Sequence, residues 1–85
     1  MKVILSKNFL KKYRKFKNIQ DQVERRMALF AMAPFEKTLN NHPLSGNREG
    51  QRSINITGNY RAVYYPVDPE TAHFIDLDNH NNLYK

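Results

Sequence analysis

Cysteine is absent from the 85 residues, and with it any disulfide or thiolate–zinc staple. That absence is compatible with a reducing compartment. Long apolar runs are also missing. Val3-Ile4-Leu5 is far too short for the apolar region of a signal peptide or for a membrane span. A soluble, cytoplasmic protein with no membrane partner is expected. Glycine is scarce, and Gly46, Gly50 and Gly58 fit neither a P-loop nor a dinucleotide fingerprint. No serine stands in a GxSxG turn. His42, His73 and His80 lack HxxxH or HExxH spacing, so no metal or other cofactor is expected. No repeat, low-complexity tract, linker or helix-turn-helix signature is visible. A chain of this size forms one domain, 1–85, burying about 60–65 % of the surface its unfolded form exposes.

What the chain has in quantity is positive charge. The formal net charge is +6. Residues 1–26 hold nine Lys/Arg against Asp21 and Glu24, whereas the remainder holds five basic and six acidic residues. A basic block of that density fits a polyanion such as nucleic acid or ribosome, or an acidic protein; it also fits a solvated helix face.

The apolar pattern orders the chain. Residues 2–5 read as a short strand. Ser6 is a good N-cap, and Phe9, Leu10, Tyr13 and Phe16 follow at helical spacing among lysines. Asn18 marks a break. Ile19, Val23, Met27, Phe30 and Ala31 form the inward stripe of a second helix, which Pro34 ends at about Ala33. Residues 34–50 have no sustained period and read as a long loop with a short helical turn near Phe35–Leu39. Thereafter the period becomes two. Strands are expected over 52–57, 61–65 and 73–77, with a turn at Gly58-Asn59 and a polar tail that leaves the sheet. The fold expected is α+β: an N-terminal strand and a helical hairpin packed on a small, mostly antiparallel four-stranded sheet.

The loop raises a chemical question. NHPLSGNREGQRSI carries His42, Arg48 and Arg52, more than a chain reversal needs. Its glycines allow a close backbone approach, its histidine offers proton chemistry, and its arginines offer a phosphate-matching fork. His42 could equally be a loop residue fixed by Pro43. Arg52 and Arg61 fall on adjacent strands, where they could converge on one face or stand as surface charges. His73 alternates away from Phe74 and reads as a surface residue, and Tyr64 or Tyr65 as core.

The stretch HPLSGNREGQRSINITGNYRAVYY, followed by HFIDLDNHNNLY, resembles the RelE/ParE superfamily of toxins from type II toxin–antitoxin pairs. It is most similar to the YafQ-like and RelE/StbE branch, and the resemblance covers the whole chain. It implies a RelE-like fold and a ribosome-dependent, metal-independent mRNA endoribonuclease that inhibits translation. A cognate acidic antitoxin would neutralise it, and operator DNA would be bound only through the antitoxin complex.

By the same resemblance, His42 is a general base or substrate-positioning group and His80 a proton donor. Arg52 and Arg61 contact the scissile phosphate or nearby backbone, and Arg48 on the loop is a further phosphate-contact candidate. Tyr84 stands where the family places an aromatic residue near the substrate; Tyr60 is a second candidate for base stacking, Asn59 a candidate substrate contact by hydrogen bonding, and the lysine face of the first helix, with Lys11 and Lys15, a candidate for rRNA phosphates. Three positions depart from the pattern. Asn55 stands in place of a histidine, Asn59 in place of an acid, and Asp76 in place of a basic residue. Neither asparagine shuttles protons at pH 7, and Asp76 would repel phosphate if it faced the site. Two further readings therefore stay open: a ParE-like toxin directed at DNA gyrase, and a catalytically inactive homologue that binds antitoxin.

Overall fold

In the computed structural model, which describes residues 1–84, strand β1 (Lys2–Leu5) leads directly into helix α1 (Lys7–Lys15). Ser6 caps that helix, its Oγ accepting from the Phe9 amide at 3.0 Å. The expected break falls on a single 3₁₀ turn, Lys17–Ile19, and helix α2 (Gln20–Met32) stops just before Ala33-Pro34. Strands β2 (His42–Pro43), β3 (Arg52–Asn55), β4 (Tyr60–Asp68) and β5 (Thr71–Asn79) follow, then a one-turn helix α3 (His80–Leu83). The short helical turn expected near residues 35–39 is the 3₁₀ turn Lys37–Leu39.

The sheet has the order β1-β5-β4-β3-β2, with β1 parallel to β5 and the other pairs antiparallel. It has five strands where four were expected. The addition comes from the long loop, where His42 and Pro43 pair with Ser53 and Arg52 at the sheet edge. Proline is tolerated there because an edge residue needs no ladder donor on its outer side.

Alternation divides the sheet into two faces. Tyr64, Ala62, Ile54, Phe74 and Leu77 turn toward α1 and α2 and are buried. Phe74 sits among Phe9, Phe30 and Tyr64 with ring centroids at 5.8, 5.0 and 5.1 Å. Phe74 and Leu77 are three residues apart, so strict alternation would place them on opposite faces. A register shift resolves this: Tyr64 pairs with Phe74 and Val63 with Asp76, leaving Ile75 as the extra residue. The bulge also turns Asp76 and Asp78 to the face opposite the helices.

That second face carries two cross-strand rows. One runs His42, Ser53, Val63, Asp76; the other runs Asn55, Arg61, Asp78. Loop residues 44–51 and α3 border this face.

Candidate active site

The tail helix is too short to persist by itself, so its position depends on ties to the rest of the chain. Asn79 caps it, with Oδ1 accepting from the Asn82 amide at 2.8 Å. The His80 amide donates to the Asn59 carbonyl in the β3–β4 hairpin at 2.7 Å. Leu83 is buried, and the Tyr84 hydroxyl lies 3.0 Å from Ser53 Oγ on the sheet. These ties bring His80 between two clefts.

The first cleft, about 750 Å³, is lined by the 42–48 loop, Gln51, His80, Leu83 and Tyr84. The second, about 510 Å³, is lined by Gly58, Asn59, Tyr60, Arg61, Asn79, His80 and Asn81. His80 is the ridge common to both. Its exposed ring meets Tyr84 edge-on at 4.7 Å. Of the residues singled out in the sequence, His42, Arg48, His80 and Tyr84 share the first cleft, while Asn59, Tyr60, Arg61 and His80 share the second.

His42 is half-buried, and its Nδ1 lies 2.8 Å from the Asn40 carbonyl. A carbonyl oxygen only accepts, so Nδ1 carries the proton and Nε2 of the neutral ring is a bare lone pair. The Asn40 backbone that aims this carbonyl is left-handed, with φ +46°.

Arg61 curls over its own hairpin. Its Nη1 lies 2.9, 3.2 and 3.0 Å from the carbonyls of Thr57, Gly58 and Tyr60. The guanidinium is thereby held beside His80 in the second cleft. Tyr60 borders the same cleft, but its ring packs edge-on against Phe16 at 5.1 Å and belongs to the helix-side packing.

The expected convergence of Arg52 with Arg61 is corrected by the register. Arg52 pairs with Tyr64, whereas Arg61 pairs with Asn55, so the two point to opposite faces. A two-residue Gly58-Asn59 turn would have put Arg61 opposite Ile56, on the face of Arg52. The Ile56 amide instead donates to the Tyr60 carbonyl at 2.9 Å and closes a three-residue loop, and a one-residue slip reverses every side chain. Arg52 lines neither cleft. Its Nε donates to Asn41 Oδ1 at 2.8 Å and its guanidinium lies 5.3 Å from the Phe35 ring centroid. Asn41 in turn donates to the Pro34 carbonyl and the Tyr64 hydroxyl, each at 2.8 Å. Arg52 thus ties the loop to the sheet. Arg52→Ala is expected to lower stability by about 1–2 kcal/mol in urea unfolding.

Lys11 and Lys15 are exposed on α1 and line neither cleft. Lys12, which the sequence did not single out, reaches the second face. Its Nζ lies 3.1 Å from Asp76 Oδ1 and 2.8 Å from Asp78 Oδ2. Asp76 Oδ2 meets Arg48 Nη2 at 3.0 Å. Burial alone would raise both carboxyls. Hydrogen bonds from Lys12 and from the amides of Leu77 and Asn79 outweigh it, with Arg48 adding to Asp76 and Asn82 to Asp78, and hold both below the usual carboxylate range. Burial would lower Lys12, but Asp78 and Asp76 overcome it and raise its pKa. Asp76 therefore lies on the cleft face of the sheet but lines neither cleft, and its charge is matched by two cations.

Asn55, beside Arg61, has a buried Oδ1 with no hydrogen-bond partner among the described residues. Among those residues, no helix is long and apolar enough to cross a membrane.

No family model and no curated protein matches the sequence. Solved structures do match the fold. YafQ from E. coli superposes with a TM-score of 0.82 at 16 % identity, over 98 % of this chain and 97 % of that one. YafQ in the E. coli DinJ–YafQ toxin–antitoxin complex gives 0.79 at 17 %, over 98 % and 96 %. A YoeB/ParE toxin from Agrobacterium tumefaciens gives 0.75 at 20 %, over 94 % and 99 %. With the strand order, the helical hairpin and the short tail helix described above, these likenesses over nearly whole chains show that this protein has the fold of the RelE/ParE-type toxins.

Proposed function

We propose that the protein is the toxin of a type II toxin–antitoxin pair and acts in the cytoplasm as a metal-independent endoribonuclease on mRNA held in the ribosome. The observation that carries this reading is the position of His80 as the ridge between two clefts, one holding His42 and Tyr84, the other Arg61. RNA cleavage by the neighbouring ribose needs a base, an acid and positive charge at phosphorus. Each role has a candidate here. The bare Nε2 of His42 takes the 2′-OH proton as the O2′–P bond forms. Protonated His80 gives its proton to the 5′-oxygen as the P–O5′ bond breaks. Arg61 offsets the charge that builds on the phosphoryl oxygens. The products are a 2′,3′-cyclic phosphate and a free 5′-hydroxyl.

The partners follow from charge and from fold. The basic residues of 1–26, with Lys11 and Lys15 exposed on α1, suit rRNA phosphates. An acidic antitoxin is the expected protein partner, as the solved DinJ–YafQ and YoeB–YefM complexes illustrate for the same fold. Operator DNA is reached only through that complex.

The test is purified protein on a translated mRNA, with and without ribosomes, mapped by primer extension. Cuts that require ribosomes are expected. A folded protein that makes none would overturn the reading and direct attention to a supercoiling assay with gyrase.

A further inference from the structure

Two acids on the sheet face that carries a proposed phosphate site call for an explanation. Asp76 and Asp78 lie on the cleft face of the sheet, and both lead to α3, Asp76 through Arg48 and Asp78 directly. Asp76 Oδ2 holds Arg48 Nη2 at 3.0 Å, and Arg48 Nε lies 3.3 Å from the carbonyl of Leu83, the last residue of α3. Arg48 Nη1 meets Gln51 Oε1 at 3.1 Å. Asp78 Oδ1 accepts from Asn82 Nδ2, inside α3, at 3.0 Å. Lys12 bridges the two acids from the other side.

We infer that Asp76 is a positioning residue: through Arg48 it fixes the tail helix and so sets where His80 stands between the clefts. The inference rests on the proposed nuclease reading for the consequence in catalysis, but its structural half stands on geometry alone. A four-residue helix holds almost no intrinsic stability, so its orientation comes from external ties. The helix start is tied by the Asn79 cap and the Asn59 carbonyl. The Arg48 bond is the tie at its last carbonyl, where the cation also suits the negative end of the helix.

The acid is tolerable because it brings no net charge. Asp76, Asp78, Lys12 and Arg48 sum to zero, so the cleft gains an ordered guanidinium rather than a repulsive carboxylate. Three of the five guanidinium N–H groups are engaged by protein, which leaves two for a ligand. The cross-strand row places Asp76 opposite Val63 and in line with Ser53, whose hydroxyl meets Tyr84. Two members of the row, Asp76 through Arg48 and Ser53 through Tyr84, thus hold the segment that follows His80.

The experiment compares the full chain with Asp76→Asn and Asp76→Glu, and with Arg48→Gln as an independent route to the same broken tie. Asparagine is isosteric, and glutamate restores the charge. Amide hydrogen exchange and the His80–Tyr84 ring NOE report the helix directly. Asp76→Asn is expected to lower protection of the Tyr84 amide, which donates to His80 at 3.2 Å, by roughly 10-fold or more. The strand amides of β3 and β4 should stay within about 2-fold of wild type. Single-turnover cleavage at saturating ribosome should fall roughly 10- to 100-fold, with the half-saturating concentration little changed, and Asp76→Glu should recover part of both losses. Unchanged exchange and NOE in both Asp76→Asn and Arg48→Gln would overturn the inference. A wild type that cuts nothing would overturn the nuclease reading only, because the exchange and NOE data decide the positioning role in its absence.

Discussion

His80→Ala should abolish ribosome-dependent cleavage while leaving the protein folded. General acid catalysis by a positioned side chain contributes about 10²- to 10⁴-fold, or roughly 3–5 kcal/mol of barrier. The fold has little stake in the ring. It is exposed, and its aromatic contact is an edge-on approach to Tyr84. The bonds that seat the residue belong to the backbone: its amide reaches the Asn59 carbonyl, and its carbonyl receives the Tyr84 amide. Both survive truncation to alanine. The N-cap is Asn79, which the substitution does not touch. The unfolding free energy of His80→Ala in urea should therefore fall within about 0.5 kcal/mol of wild type. His80→Gln separates proton transfer from hydrogen bonding. Glutamine can donate but does not titrate, so it should be nearly as inactive as alanine. Should either variant retain cleavage within about 3-fold of wild type, a loss too small for general acid catalysis, His80 is not the proton donor. The nuclease reading would then stand with the leaving 5′-oxygen protonated by another group or by water.

Much of this arrangement could be read from spacing. Ser6, the two apolar stripes and Pro34 define the helical hairpin because each acts within a few residues of itself. The strands after residue 51 follow from a period of two. What the spacing could not carry was register. Arg61 faces away from Arg52 because the turn after β3 holds three residues instead of two, and Gly58-Asn59 is compatible with either count. Asp76 lies on the cleft face of the sheet because Ile75 is a bulge, and without it the carboxylate would share the face of Phe74. Both events move a side chain to the other side of the sheet by one residue. Neither leaves a compositional mark strong enough to read in a single sequence. Lys12 was hidden for a related reason. Among several lysines on one amphipathic helix, it is distinguished only by the acids it meets, and those acids were turned toward it by the bulge. The loop was legible in composition but not in form. His42 and Arg48 do come together with His80, yet Arg48 arrives already engaged by Asp76, Gln51 and Leu83.

The same bulge makes Phe74 the residue on which the most stability rests. It is fully buried, and it meets Phe9 from α1, Phe30 from α2 and Tyr64 from β4. One ring therefore joins both helices to the central strands. Phe74→Ala should cost about 3–5 kcal/mol, the range for a buried phenylalanine whose cavity collapses only in part. A domain of this length has a total stability of roughly 4–13 kcal/mol, so the variant should be marginal at 25 °C and unfold at low urea. Phe74→Leu, which keeps most of the volume, should cost about half as much or less. Met32 is 87 % exposed at the end of α2, and Met32→Ala should stay within about 0.5 kcal/mol of wild type as the matched control. Urea unfolding followed by circular dichroism would rank the three. A Phe74→Ala loss below about 1 kcal/mol would mean that the helices seat themselves on the sheet without this ring. The consequence reaches the clefts. Phe74 immediately precedes the bulge that sets the face of Asp76 and Asp78, and β5 runs on to Asn79 and the tail helix. A core that lets Phe74 shift also lets that strand shift, and with it the mount of His80.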